Sequence, residues 1–178
     1  SSGRCGSIAF LNTYLPSVPF SFSDEGRVAS HSTSSWSIKG SRTSSECAML
    51  ALSTRPVIAS HVHIRGPQAN HPRFITRDLA QAIARKGGGV LGAWPAGFGI
   101  GTLAGFVRRT LELVAAVGID HVCLGTDMDA NTGPVLENYT RLPHYLVGLR
   151  QQGLDDAALA KLIGGNYLRI FTETTQPA

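Results

Sequence analysis

The amino-acid sequence predicts an α/β fold: part of a (β/α)8 TIM barrel that follows an irregular N-terminal segment. Short apolar runs alternate with amphipathic segments over residues 48–178, in the strand, helix, strand order of a parallel sheet. Residues 1–47 are instead rich in Ser and follow no sustained helical or alternating period. A complete eight-stranded barrel takes about 250 residues. The sequence therefore predicts the C-terminal strand-helix units of a barrel and not a whole one.

Three apolar runs are typical of strands that are buried within a sheet. They span residues 55–61, 87–94 and 121–127, and Pro or Gly residues stand at or near their starts, as expected of strand boundaries. The first run ends on His61 and the third on Asp127. A polar residue at the end of an apolar strand emerges at the edge of the sheet.

Two helices are predicted between these strands. Thr76 begins a helix that reaches Lys86, and Thr102 begins a longer helix that Gly118 follows, because hydroxyl side chains cap helix starts and Gly is common just beyond helix ends. The longer helix is expected to bury one face. That face comprises Leu103, Phe106, Val107, Thr110, Leu111, Val114 and Val117.

Further helices are predicted after the third strand, at residues 138–152, at residues 155–163 and from Asn166 onwards. The Gly164-Gly165 pair precedes the last of them. Since Gly ends helices and Asn caps their starts, we expect this pair to end one helix and Asn166 to cap the next.

Composition limits the classes of function. The 178 residues are 43% hydrophobic, enough for one globular unit with a buried core. The net charge of +4 arises from 16 basic and 12 acidic residues in mixed order, without the clustered basic face of a nucleic-acid-binding protein. The three cysteines form no C-x-x-C pair, so neither a disulfide framework nor a zinc-thiolate site is indicated.

Cellular location is weakly indicated. No apolar run approaches the roughly 20 residues of a membrane span, and the first residues lack the basic and apolar regions of a secretory signal. Unpaired cysteines slightly favour a reducing compartment, so we expect a cytoplasmic location. The chain begins with Ser, so an upstream portion with its own targeting signal stays an open alternative. In that case the location would be unknown.

His61 and Asp127 are the strongest candidates for chemistry. In a barrel both would face the catalytic mouth, because substrates bind at the carboxyl ends of the strands. Imidazole is a common zinc ligand, and a carboxylate can bind a metal or accept a proton from metal-bound water. The alternative is structural: both side chains would cap helices or satisfy backbone groups.

Two further polar residues leave alternatives open. Arg73 lies in the loop that follows the His61 strand, where its guanidinium could hold a substrate carboxylate in a bidentate pair or remain a solvated surface group. Asp129 stands two residues beyond Asp127. One of the two carboxylates could serve the site while the other braces the turn.

The remaining histidines are interpreted as non-catalytic. His63 could be a second metal ligand, but the following Arg65-Gly66-Pro67 indicates that the strand has ended, so the two side chains need not share a face. We expect a loop residue there. His121 and His144 are expected to be partly buried or at the surface.

Four segments together resemble the membrane (renal) dipeptidase family. They are residues 55–61, 71–73, 118–129 and 162–171, and the resemblance extends over about residues 48–173. It implies a (β/α)8 barrel with two zinc ions that hydrolyses dipeptides. Some relatives act on dipeptides that contain a D-amino acid, or on a β-lactam.

The resemblance also assigns roles to three residues. His61 resembles a metal-ligand His in the family's second Ser-His motif, and Arg73 resembles the Arg that binds the terminal carboxylate of the substrate. Asp127 resembles the active-site Asp that handles protons during attack by the metal-bridging hydroxide. The loop before Arg73 is one residue longer than the common pattern. The segment at 126–131 departs from the commoner Ser-Asp-Phe-Asp-Gly, which bears on substrate preference.

The residues upstream depart further from the family. Its N-terminal His-x-Asp pair, its bridging Glu and an earlier Ser-His ligand should lie before residue 55, and the first two are absent from this sequence. His31 follows Ser30 and resembles the earlier Ser-His, but it stands 30 residues before His61, where the family spacing is about 21. Residues 1–47 would then be either disordered or translated out of the family's reading frame.

Three expectations follow for function. At the level of the family, the reaction is zinc-dependent hydrolysis of dipeptides, with Asp127 shuttling a proton. This chain is expected to hold one zinc ion or none and to be impaired. The alternatives are a non-catalytic truncated remnant and a subunit that completes its site in a homo-oligomer.

Overall fold

Four parallel strands form one sheet in the computed structural model, which describes residues 9–11, 49–67, 69–128 and 133–175. Each strand pairs with the next strand along the chain, without a change of order. Their bounds are β1 Ala9–Leu11, β2 Val57–Val62, β3 Val90–Ala93 and β4 Val122–Leu124. The predicted parallel α/β architecture is therefore present, and β2, β3 and β4 lie within the three apolar runs or one residue beyond.

β1 was not predicted. Three residues are too few to show a period-two pattern, and its pairing partner, β2, lies more than 40 residues further along the chain. The rest of residues 1–47 lies outside the described residues, as do the predicted site residues His31 and Asp129.

The helices follow the predicted order. Their bounds are α1 Arg77–Arg85, α2 Leu103–Val117, α3 Leu142–Gln151, α4 Asp156–Ala160 and α5 Asn166–Thr175, with 3₁₀ turns at Ile119–His121 and Tyr139–Arg141 and a π turn at Lys161–Gly165. None of the helices in the described ranges is long and apolar enough to cross a membrane.

The predicted boundaries of α1 and α2 are confirmed by their caps. The Thr76 hydroxyl accepts a hydrogen bond from the Leu79 N–H at 3.2 Å, and the Thr102 hydroxyl accepts one from the Gly105 N–H at 3.0 Å. Gly118 ends α2 with φ 86°, a left-handed conformation that costs little without a Cβ.

The buried face of α2 is rotated from the predicted one. Arg109, Leu113 and Ala116 are buried, whereas the predicted Leu111 and Val114 are only partly buried. The cause is a second packing partner. α3 lies against α2: the Tyr145 ring of α3 stacks on Phe106 of α2 with 4.5 Å between centroids, and the Tyr145 hydroxyl hydrogen-bonds Thr110 at 2.8 Å. The buried face of α2 therefore lies between the sheet and α3.

The sheet is covered on both faces. One face contributes Val57, Ala59, Leu91, Ala93 and Val122 to the main core, which α1 and α2 complete. On the other face, Ile58, Val90 and Cys123 pack against Ile170 of α5. Burial raises the pKa of the Cys123 thiol to about 12, so this cysteine is a protonated packing residue.

Asn166 does not cap α5, contrary to the prediction. Its backbone is already helical, at φ −67° and ψ −39°, and its side chain is buried. The side-chain amide donates to the Ile119 carbonyl at 2.7 Å and to the Val122 carbonyl at 2.8 Å. Asn166 therefore ties α5 to the turn that enters β4, because a buried carbonyl without a donor is costly.

We predict that Asn166→Ala lowers the free energy of unfolding by about 1–3 kcal/mol, since it removes both side-chain hydrogen bonds, including the buried one to the Val122 carbonyl. Thermal or urea unfolding measures this. The matched control is Asn138→Ala, because Asn138 is exposed and caps a 3₁₀ turn through Thr140. That change should cost about 1 kcal/mol or less, and an equal loss at both positions would contradict the assigned role of Asn166.

Candidate active site

Polar and aromatic side chains meet at the carboxyl edge of the sheet. His61 is the fifth of the six residues of β2, Trp94 directly follows β3, and Asp127 follows β4 by three residues. The His61 and Trp94 rings lie 6.5 Å apart between centroids, edge to face at 74°. Burial lowers the pKa of His61, and Asp127 is close enough to oppose that shift through its charge. Parallel strands bring these residues together because their carboxyl ends share one edge.

A β-bulge changes the direction of β2 near its carboxyl end. Ala59 pairs with Leu91 and Val62 with Ala93, so β2 carries one extra residue between these pairs. The carbonyl oxygen of Ser60 lies over the neighbouring strands, where a Cβ on Gly92 would stand 2.0 Å from it and a Cβ on Gly125 would stand 1.9 Å from it. Bulges often re-aim side chains near active sites, and His61 lies within this one.

Asp127 adopts a left-handed backbone conformation, with φ 47°. Among residues other than Gly this conformation is uncommon, and Asp and Asn tolerate it best. Such conformations persist where the surrounding structure holds them, and they cluster at functional sites. The left-handed conformation is therefore a second feature, beside the charge effect on His61, that marks this strand end.

Arg73 reaches the same edge from the loop after β2. Its guanidinium carbon lies 4.2 Å from the centroid of the Trp94 ring, and its backbone N–H donates to His71 Nδ1 at 3.3 Å. The His71 ring stacks on Phe98, with 4.3 Å between centroids and 14° between planes. The structure therefore brings Arg73 together with His61 and Asp127, and it adds an aromatic group of His71, Trp94 and Phe98 beside them.

The charge environment favours a neutral imidazole at position 61. Burial lowers the pKa of His61, the Asp127 carboxylate opposes that shift, and the Arg73 guanidinium lowers the pKa further. A neutral imidazole is the form that binds metals. The environment of His61 is thus compatible with the ligand role that the family resemblance assigns to it.

His63 is buried in the core, not an open loop residue. It follows β2 directly, and its ring lies edge-on to Phe74 at 5.5 Å and to Phe106 at 6.0 Å. Its Nε2 is 2.6 Å from the Trp94 carbonyl, and since a carbonyl only accepts, Nε2–H donates. Burial lowers the pKa of His63 to about 4. The turn signal in the sequence was correct about the strand's end, but it carried no information on burial.

The other two histidines lie where the sequence suggested. His121 is partly buried and its Nδ1 is 2.9 Å from the Gly89 carbonyl. His144 is exposed on α3. A groove of about 280 Å³ runs past His121 between α1 and α2, lined also by Gln81, Ala84, Arg85, Ala116 and Val117. It lies at the amino end of the strands, away from His61 and Asp127.

The described side chains do not by themselves form a metal centre. Among residues 9–11, 49–67, 69–128 and 133–175, no three His, Cys, Asp or Glu side chains lie close enough together to hold an ion. A zinc site takes at least three protein ligands, and His61 with Asp127 supplies two donors. The donor set seen here therefore does not fit a two-zinc centre.

Trp94 and Phe98 are site residues that the sequence analysis did not predict. Trp94 ends the second apolar run, and the reasoning that selected His61 and Asp127 at strand ends applies equally to it. An indole, however, is neither a metal ligand nor a proton acceptor.

The carboxyl edge of a parallel sheet is the usual location of the active site in α/β enzymes, and the polar cluster lies at that edge. The sequence model of the membrane dipeptidases (peptidase family M19) matches residues 38–178. The chain belongs to the membrane dipeptidase family.

Individual relatives agree with this assignment. An uncharacterised protein of the pqqA 5′ region of Klebsiella pneumoniae is 34% identical over 138 residues, which cover 69% of this chain and 48% of that protein. A dipeptidase from Aspergillus terreus is 27% identical over 137 residues, which cover 72% of this chain and 33% of that enzyme. The chain thus spans half or less of the length of these relatives.

Solved structures share the fold. A metallopeptidase from Rhodobacter sphaeroides, bound to a phosphinate mimic of the dipeptide L-Ala-D-Ala, matches with a TM-score of 0.67 at 25% identity, over 75% of this chain and 40% of that one. The probable dipeptidase PvdM from Pseudomonas aeruginosa matches with a TM-score of 0.68 at 21% identity, over 76% of this chain and 49% of that one.

We predict that Gly92→Ala and Gly125→Ala each lower the free energy of unfolding by about 1–3 kcal/mol or more, because the new Cβ meets the Ser60 carbonyl and overpacking costs this much. Thermal unfolding measures the loss. Gly66→Ala is the matched control, since a Cβ there has open space. If all three variants unfold at the same temperature, the close approach of Ser60 is not a constraint.

We predict that Asp127→Asn changes the free energy of unfolding by no more than about 0.5 kcal/mol, because Asn also tolerates the left-handed conformation. Asp127→Val should cost about 1–2 kcal/mol, since a β-branched residue does not. Urea denaturation of both variants provides the comparison. Equal stability of the two variants would show that the left-handed backbone is not maintained in solution.

Proposed function

We propose that this chain supplies one side of a dipeptide-hydrolysing site, the side that binds the substrate carboxylate and handles the proton. The observation that carries the proposal is the convergence of Arg73, His61 and Asp127 at the carboxyl edge of one parallel sheet. Membership of the membrane dipeptidase family supports the reaction class, and the phosphinate dipeptide mimic bound by the Rhodobacter relative supports a dipeptide ligand. L-Alanyl-D-alanine is therefore the first substrate to test.

We further infer that the sheet is the closing part of a (β/α)8 barrel. The four strands are parallel and keep the order of the chain, as in a singly wound barrel. A doubly wound sheet instead reverses strand order near its middle. Helices follow β2 and β3 and cover a common face of the sheet, which would be the outer face of the barrel. Ile170 of α5 packs against the opposite face, and Arg169 of the same helix donates to the Gly88 carbonyl just before β3. This helix would therefore close the barrel at the amino ends of the strands.

Each of the three residues has a role that its surroundings support. Arg73 would bind the free carboxylate of the dipeptide through a bidentate pair, which a planar guanidinium favours. Asp127 would accept a proton from the attacking water and pass it to the leaving amine. His61, held neutral, would be a metal ligand.

Zinc is the metal that the family resemblance implies, and it would polarise the scissile carbonyl and activate water. His61 and Asp127 alone are too few donors for a two-zinc site, and the family's His-x-Asp pair and bridging Glu are absent from this sequence. We therefore propose that the isolated chain holds fewer than two zinc ions and turns over slowly or not at all. His31 stays a candidate ligand.

Two alternatives differ in what a purified sample would show. A non-catalytic remnant would bind little metal and no dipeptide. A subunit that completes its site in a homo-oligomer would form a stable assembly that binds two zinc ions per site and hydrolyses dipeptides.

We predict less than two zinc ions per chain and little hydrolysis of L-alanyl-D-alanine, together with measurable binding of that dipeptide. Metal analysis by mass spectrometry, an amine-release assay and an NMR titration measure the three quantities. Arg73→Gln should abolish the preference for the dipeptide over its C-terminal amide, because the guanidinium recognises the carboxylate. Arg73→Lys should retain part of it, since the charge persists without the fork.

The outcomes separate the possibilities. Two zinc ions per chain, with turnover that Asp127→Asn abolishes, would overturn the proposed impairment and leave the reaction class intact. The same result confined to an oligomeric fraction in size-exclusion chromatography would favour the shared site. Absence of any dipeptide binding would overturn the proposed role of Arg73.

A further inference from the structure

Trp94 contacts the two halves of the candidate site at once. Its ring lies edge-on to His61 at 6.5 Å and carries the Arg73 guanidinium 4.2 Å from its centroid. The Trp94 side chain is only 1% exposed, so the face that Arg73 covers is largely withdrawn from water. A guanidinium over an indole face is the strongest of the common cation–π geometries, and desolvation increases it.

We propose that Trp94 is the positioning residue that holds the Arg73 guanidinium in place for the substrate carboxylate. This inference rests on the proposed function of Arg73 and adds the group that orients it. An unrestrained Arg side chain has several freely rotating bonds, and fixing them on binding costs entropy. Stacking on the indole face restricts that freedom before the substrate binds, and it engages the face of the guanidinium and not the edge that carries the N–H donors.

Trp94 is itself held in place by contacts with its backbone and its ring. His63 Nε2–H donates to the Trp94 carbonyl at 2.6 Å, and the Trp94 side chain packs with Ala69, Phe74 and Ala96 in a small apolar cluster. Ala69 and Phe74 belong to the same loop as Arg73. The cluster therefore fastens the loop to the end of β3, so that the backbone of Arg73 and the ring beneath its side chain move together.

That loop has a second attachment on its other side. Arg109 of α2 is buried and donates to the Ile64 carbonyl, while the Arg65 guanidinium donates to the Phe74 carbonyl at 2.8 Å. The backbone also closes on itself, because the Ile75 N–H donates to the His63 carbonyl at 2.9 Å. With both ends of the loop held, the backbone of Arg73 stays beside the Trp94 ring on which its guanidinium rests.

A purely structural role for Trp94 is the competing explanation, because a buried aromatic residue stabilises any core. The test must therefore separate stability from carboxylate recognition. The probe is L-alanyl-D-alanine beside its C-terminal amide, titrated against the whole chain by NMR, which detects weak binding. The ratio of the two affinities reports on the carboxylate alone, since loss of folded protein affects both ligands equally.

Trp94→Leu should weaken binding of the dipeptide by about tenfold and leave binding of the amide unchanged, as expected from removal of a desolvated cation–π contact. Trp94→Phe keeps an aromatic face and should retain most of the preference for the dipeptide over its amide. Tyr145→Leu is the matched control, because it truncates another buried aromatic residue that lies in the helix layer. It should lower stability and leave the preference as in the unsubstituted chain.

The possible failures are distinguishable. If the unsubstituted chain prefers the dipeptide and Arg73→Gln removes the preference, but Trp94→Leu retains it, the positioning role is wrong and the proposed function stands. If Tyr145→Leu loses the preference as fully as Trp94→Leu does, the effect is one of general stability and the inference fails. If the unsubstituted chain shows no preference, both the role of Arg73 and the inference built on it are overturned.

Discussion

The carbonyl oxygen of Ser60 occupies space that side chains of the two neighbouring strands would otherwise fill. The glycines at 92 and 125 make that approach possible, since a Cβ at either position would stand about half a normal contact distance from the oxygen. The extra residue in β2 brings the carbonyl there, and the residue that follows is His61. The three strand ends, and hence the separation of His61, Trp94 and Asp127, depend on this one close contact.

Outside the sheet, buried polar side chains fix the loops that carry the site. His63 reaches the Trp94 carbonyl, Arg109 reaches the Ile64 carbonyl, and Asn166 reaches two carbonyls at the entrance to β4. In each case one side chain satisfies backbone groups of an element distant in sequence. Because an unpaired buried carbonyl is costly, these contacts have few equivalent alternatives, and they specify where each loop lies.

The sequence predicted the features that depend on residues near in the chain and missed those that depend on distant partners. The strands, the caps at Thr76 and Thr102 and the strand-end residues His61 and Asp127 depend on local patterns, and the sequence displays those patterns. The burial of His63 and the stacking of Arg73 on Trp94 depend on partners 31 and 21 residues away, which no local period records. Asn166 was assigned a local cap and instead bonds across 44 residues and more, so the local interpretation was wrong for a physical reason.

Family membership and catalytic competence depend on different parts of the molecule. The fold and the cluster of His61, Arg73 and Trp94 depend on contacts within the described C-terminal region. Activation of water by two zinc ions requires several donors at once, and it fails when any essential donor is missing. Under the proposed function, binding of a dipeptide carboxylate at Arg73 would not require the full set of metal donors, whereas turnover would. Binding and hydrolysis therefore have to be measured separately, because the proposed carboxylate contact needs fewer residues than the proposed zinc chemistry.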